Sequence, residues 1–196
     1  TMSCHSADGN ANSRWGDGRL LPSVARIAPG NSTTLVAEPH VAHPGLPVDY
    51  QDDSAAHDLR DVACFATGVL NEPLDIVGSP VIRAVTVCDR PRHDLVATVS
   101  VVEPDGTARA VSGSGRRLLD AVAPGEQTYW NIELRPIAVR LQPGQQLRLA
   151  LSAARFPCFD RNGHTPAHDV HTTAAEQVVA TIELISAELD LPVPLA

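Results

Sequence analysis

From Asp61 onward, proline and glycine interrupt the chain so often that no helical period survives for long, and the segments between them are short, apolar and alternating. Val62 to Thr67 is the first strand candidate. Leu74 to Cys88 reads as two strands parted by Gly78-Ser79-Pro80. Asp94 to Val111 reads as two more, joined at Pro104-Asp105-Gly106, where glycine supplies the positive φ of a hairpin turn. Thr128 to Leu141 holds a further pair parted by Pro136, the turn at Pro143-Gly144 leads into Leu147 to Ser152, and a last strand region opens at residue 174 and ends near Leu189. Strands of this length at this spacing mean an all-β sandwich or barrel. With aromatics at 4% of residues its core is aliphatic, and 196 residues suffice to bury one without disulfides.

Upstream the pattern is different. Residues 1 to 20 are dense in Gly, Asn and Asp and read as turns; residues 23 to 58 carry spaced prolines and little periodicity, which reads as a long connection wrapped over the surface. The expected division is a lead-in and connection over 1 to 58 and a sandwich over 59 to 196, one domain overall. His40 and His43 lie in the connection and read as solvated loop histidines.

The most informative stretch runs from Leu147 to Thr165. Leu147, Leu149 and Leu151 alternate with Arg148, Ala150 and Ser152, the pattern of a half-buried strand. Pro157 ends it, and the turn that follows gathers Phe156, Phe159, Asp160, Arg161 and Asn162. Arg-Phe-Pro-Cys-Phe-Asp-Arg-Asn-Gly-His-Thr (155 to 165), preceded by Leu-Gln-Pro-Gly-Gln-Gln-Leu-Arg-Leu-Ala-Leu-Ser (141 to 152), resembles the C-terminal domain of cocaine esterase-type and X-prolyl dipeptidyl peptidase-type serine hydrolases. Ser6 to Leu20, Glu72 to Val81, Asp94 with Val101 to Gly106, Gly113 to Leu119 and Leu189-Asp-Leu-Pro are similar to further blocks of that family, in the same order. Cys158 stands where the family usually has arginine.

The resemblance implies a jelly-roll, galactose-binding-like β-sandwich that carries no catalytic residue and no cofactor. It implies packing against an α/β-hydrolase catalytic domain or subunit, a contribution to the acyl pocket, and oligomerisation. Binding residues expected on these grounds are Trp15, Phe156, Phe159, Asp160, Arg161 and Asn162, with an exposed apolar face near Trp15, Phe156 and Phe159. The alternative is a stand-alone jelly roll, beginning at Met2, recruited for small-molecule binding or acid–base catalysis; carbohydrate binding rests on fold analogy alone.

The residues themselves limit the chemistry. No Gly-x-Ser-x-Gly occurs, and Gly113-Ser114-Gly115 lacks the strand-to-helix context of a nucleophile elbow and reads as a flexible turn. All 15 basic residues are arginine, which excludes Schiff-base lysines and a P-loop lysine. A net charge of −8 with scattered arginines argues against nucleic acid and anionic membranes, and no apolar run is long enough to span a bilayer. Cys4, Cys64, Cys88 and Cys158 are far apart, with no Cys-x-x-Cys; Cys64 and Cys88 read as small buried hydrophobes in a reduced, cytoplasmic protein. His164, His168, Asp169 and His171 would make a zinc set by type but sit in a loop at unspecific spacing, so no metal is expected.

Overall fold

Twelve strands and one short 3₁₀ helix make up the computed structural model, which describes residues 1–23, 30–43, 52–167 and 172–194. The strands are β1 (Met2–His5), β2 (Arg19–Pro22), β3 (Thr33–Ala37), β4 (Val62–Ala66), β5 (Leu74–Gly78), β6 (Val81–Cys88), β7 (Asp94–Val102), β8 (Ala108–Arg117), β9 (Gln127–Glu133), β10 (Ile137–Leu141), β11 (Gln146–Ser152) and β12 (Ala180–Asp190); the 3₁₀ helix is Ser54–Asp58. The protein is the β-sandwich that its punctuation predicts.

One sheet runs β8-β7-β11-β4-β2-β1-β12-β6-β9, with β3 beside β1 along the same edge of β12, and β10 pairs with β5 apart from it. Every ladder is antiparallel except a single parallel bridge, Arg19 to Ala66, where β2 joins β4. That weak link divides the sheet into two halves that face each other. Leu95, Ala97, Val99 and Val101 of β7 and Leu147, Leu149 and Leu151 of β11 point inward from one half; Ile182, Leu184, Ala187 and Leu189 of β12 and Ile82 and Ala84 of β6 point inward from the other. Period-two alternation therefore places the core in β6, β7 and β11, while in β12 a bulge between Leu184 and Ser186 moves the inward set from Leu184 to Ala187.

Several local readings are corrected. β1, β2 and β3 lie in stretches whose turn-rich composition gave no strand signal; they form because long partners offer free edges, as when Met2 and Ser3 pair with Leu189 and Glu188. The last strand starts later than residue 174, at Ala180, while its end at Asp190 falls where the sequence places it, near Leu189. Gly113-Ser114-Gly115 is not a turn but the middle of β8, opposite Thr98, Ala97 and Val96. Gly115 serves packing: a Cβ there would lie 2.9 Å from Val96 Cγ2 and 3.2 Å from the Phe159 ring.

β11 is also more than half-buried. Its Arg148, Ala150 and Ser152 face is buried like the leucine face, because the segment around the 3₁₀ helix and the loop after β11 lie over it. Val62, Cys64 and Ala150 form a small second apolar cluster there, with Leu59 packed against it. The Pro44 to Asp49 part of the connection lies outside the described residues.

Candidate functional site

The loop after β11 is held down by buried charge. Arg155 Nη2 donates to Asp53 Oδ1, and the two side chains are 2% and 0% exposed. Asp53 is positioned by its own backbone, whose N–H donates to the Ala108 carbonyl at 2.8 Å. Its second oxygen lies 3.5 Å from His57 Nε2 across one 3₁₀ turn. His57 Nδ1 is 3.3 Å from Arg148 Nη1. A guanidinium only donates, so Nδ1 accepts and the imidazole proton sits on Nε2, toward Asp53. Arg155, Asp53, His57 and Arg148 thus form a buried file along the outer face of β11.

Beyond Arg155, the chain passes a cis Phe156–Pro157 peptide. Phe156 is half-buried, with the Arg161 guanidinium 3.6 Å over its ring, a cation–π contact. Its carbonyl accepts the His43 N–H at 2.9 Å. Phe159 is half-buried too, over Gly115 and beside a cleft of about 200 Å³ rimmed by Arg116, Arg117 and Asp160. Asn162 turns inward: Nδ2 donates to Asp94 Oδ1 at 2.7 Å, and Oδ1 accepts the His164 N–H at 2.9 Å. Asp94, the first residue of β7, also takes Arg117 Nε at 3.0 Å and Nη2 at 2.8 Å. Arg117 Nη2 reaches on to the Asp160 carbonyl at 2.5 Å.

Five of the six expected binding residues are therefore in one loop around an Asp94–Arg117 fork, but their roles differ. Asn162 is an anchor, and Asp160 contributes its carbonyl to the anchor while its side chain stays exposed. Phe156, Phe159 and Arg161 are what the loop presents. Asn162→Ala is expected to cost about 1–3 kcal/mol in urea unfolding, because a buried carboxylate loses a donor, whereas Asp160→Ala stays within about 0.5 kcal/mol.

Trp15 belongs to the lead-in segment between β1 and β2 rather than to this loop. It is 81% exposed, with Arg14 stacked 5.4 Å from its ring centre and Arg14 in turn paired with Asp58 at 3.0 Å. His43 is not the solvated residue its loop position implies: its side chain is 1% exposed and pairs with Asp61 at 2.8 Å. Cys64 and Cys88 are buried as expected, and burial pushes their thiols up to about 12 and about 11, so neither is a nucleophile at neutral pH. His168, Asp169 and His171 lie outside the described residues, and His164 is buried against the Arg92 carbonyl at 3.1 Å.

Behind the loop, Trp130 Nε1 donates to Thr86 Oγ1 at 2.8 Å, and that hydroxyl donates to His93 Nε2 at 2.8 Å. Burial first, and the His164 imidazole second, hold the His93 pKa down from 6.5 to about 4. The unfolded chain then binds this proton more readily than the folded one. Stability is unaffected above about pH 6.5, falls as pH drops toward 4, and has no further dependence on this group below that. Urea midpoints across this window are expected to slope in the wild type and to flatten in His93→Gln; equal slopes would remove His93 as the cause.

The sequence profile of the X-Pro dipeptidyl-peptidase C-terminal non-catalytic domain matches residues 24–185. Cocaine esterase of Rhodococcus sp. (strain MB1 Bresler) is 26% identical over 179 residues, which cover 80% of this chain and 30% of the esterase. An alpha-amino acid ester hydrolase superposes with a TM-score of 0.79 at 21% identity, covering 98% of this chain and 36% of its own. An aminopeptidase from a marine sediment archaeon, Thaumarchaeota archaeon, gives 0.78 at 19% identity, covering 96% and 36%. The structural likenesses show a shared fold, and the chain spans about a third of the length of these relatives. With the profile matching most of its length, this chain belongs to the family of X-Pro dipeptidyl-peptidase C-terminal non-catalytic domains.

Proposed function

We propose that the chain serves a serine hydrolase of esters or amides by packing on its α/β catalytic domain and lining part of the acyl pocket. The observation that carries this is the surface of the loop after β11. A half-buried phenylalanine under a guanidinium and a second beside a polar-rimmed cleft set apolar rings among fixed polar groups, the composition of a binding wall. The lead-in of residues 1 to 20 forms the junction with the catalytic domain, and Trp15, too exposed for a residue of its size, is the contact on that side. The substrate class follows the names of the relatives, an esterase, an ester hydrolase and an aminopeptidase. Four free cysteines suit a reducing compartment, and the cytoplasm is our assignment.

Alone, the chain is expected to hydrolyse p-nitrophenyl esters no faster than an equal concentration of unrelated protein, since it has no nucleophile elbow. Turnover that survives repurification would instead make it an enzyme in its own right. Mixed with a family catalytic domain lacking its own sandwich, it should sediment as a one-to-one complex that Trp15→Ala weakens. A homodimer that buries Trp15 and excludes the catalytic domain would mean that a second copy covers this face.

A further inference from the structure

A second cleft, of about 240 Å³, opens between the lead-in segment and strands β4 and β11. Its lining is polar and includes Ser13, Arg14, Arg19, Cys64, Gln146 and Arg148. Arg148 is the unusual member. It projects from β11 into the cleft and is 6% exposed, yet among the described residues its Nε has no hydrogen-bond partner and its Nη1 meets only Nδ1 of His57. Among the described residues the charged side chains that bear on it are Arg14 and Asp58, and Asp58 is already ion-paired with Arg14 Nε at 3.0 Å. Burial, the largest influence, moves its pKa down from 12.5, but a guanidinium does not give up its proton. Arg19, on the cleft wall, spends Nη1 on the carbonyls of Gly16 and Gly18 and has no ion pair among the described residues.

The cleft therefore holds one desolvated cation and one exposed cation, neither with a counter-charge of its own among the described residues. A buried charge left unpaired is costly, and the cost is removed by an anion that accepts from Nε and a terminal nitrogen together. We propose that this cleft is a carboxylate-binding site, with Arg148 as the fork that grips the carboxylate and Arg19 as the second cation at its mouth.

The volume suits acetate to succinate, given about 30 Å³ per water-sized group. His57 holds the Arg148 head at one terminal nitrogen and leaves Nε for the ligand. Ion-paired Arg14 fixes the wall through its stack on Trp15 rather than supplying net charge. The carboxylate comes either from a free dicarboxylic acid or from an acidic side chain of an adjoining protein. The site stands whether or not the chain packs on a hydrolase.

The test follows the arginine Nε–Hε resonances of the full chain by NMR during titration with sodium acetate, succinate, phosphate and N-acetylglutamate amide. Ionic strength is held constant with sodium chloride. A saturable shift of the Arg148 resonance at millimolar carboxylate is expected, with chloride inert. Arg19→Gln, a change at an exposed side chain, should weaken succinate several-fold without altering the fold. Arg148→Met should abolish the shifts that succinate causes in neighbouring backbone amides. Tighter binding of succinate than of N-acetylglutamate amide assigns the site to a free diacid; the reverse assigns it to a protein side chain. The proposal is overturned if no carboxylate saturates, if phosphate saturates ahead of all three carboxylates, or if Arg19→Gln binds succinate as the wild type does.

Discussion

Arg155→Met is expected to lower the unfolding free energy by about 3–5 kcal/mol, because it strands the Asp53 carboxylate, whose side chain is fully buried, without its cation. Asp53 is 2% exposed, and without Arg155 its nearest partner is His57 Nε2 at 3.5 Å. Methionine matches the arginine stem in length, so lost packing contributes little and the effect reports the charge. The double variant Arg155→Met/Asp53→Leu should recover most of the loss, since two apolar side chains of similar volume often replace a buried pair at no net cost. A double variant as unstable as the single would show that the deficit comes from packing. The exposed pair of Arg140 and Asp75, at 2.5 Å, is the comparison: Arg140→Met should leave the urea midpoint almost unmoved, because solvent screens that interaction.

Gly18→Ala is expected to cost about 3 kcal/mol, at the upper end for overpacking, because the clash is with backbone rather than a mobile side chain. Gly18 is buried where the lead-in segment crosses β4. A Cβ there would fall inside the contact distance of the Cys64 carbonyl oxygen and 3.1 Å from Ala11 Cβ. Neither neighbour can yield. The Cys64 N–H donates to the Ala11 carbonyl at 2.7 Å and the Ala66 N–H to the Gly18 carbonyl at 3.3 Å, so the clash would break the bonds that dock β2 on β4. Hydrogen exchange should show β1 and β2 losing protection ahead of β7 and β11. Gly68→Ala, whose added Cβ meets nothing within 4 Å, is the silent control. If both variants unfold alike, the close approach at Gly18 carries no special weight.

The two positions differ in how far the sequence announced them. Alternation in β6, β7, β9 and β11 told which residues face the core, because a strand's period is fixed by its backbone. It could not tell what covers the other face, and so Arg148 read as solvated. Nothing local marks Asp53 as the partner of Arg155: the two are 102 residues apart, and a buried ion pair leaves no periodic trace. His43 was misread for the same reason, since Asp61 lies across a segment with no pattern. The loop after β11 was legible as a special place through its Phe-Pro-Cys-Phe-Asp-Arg-Asn run. What its residues do was only partly legible, because Asn162 and Arg161 look alike in a motif yet one anchors inward and the other lies on a ring. Asp94 was a strand-start aspartate by sequence, and only the fold brings Arg117 and Asn162 to it.

The placement of β12 bears on how the chain is made. β1 pairs with it at Met2 to Leu189, β3 at Ala37 to Ala180, and β6 lies along its other edge from Val81 to Asp190. At about 5–20 residues per second, a ribosome takes roughly 10–40 s to pass from the first strand to its partner. During that interval β6 shows an open inner edge, β1 is paired on one side only, with β2, and β3 has no strand to join. Such edges recruit other strands, so the growing chain is most prone to aggregate just before its last strand emerges. A stalled or clipped product missing β12 would therefore be an open sheet that nascent-chain chaperones must shield, and the final strand acts as the latch whose arrival ends that dependence.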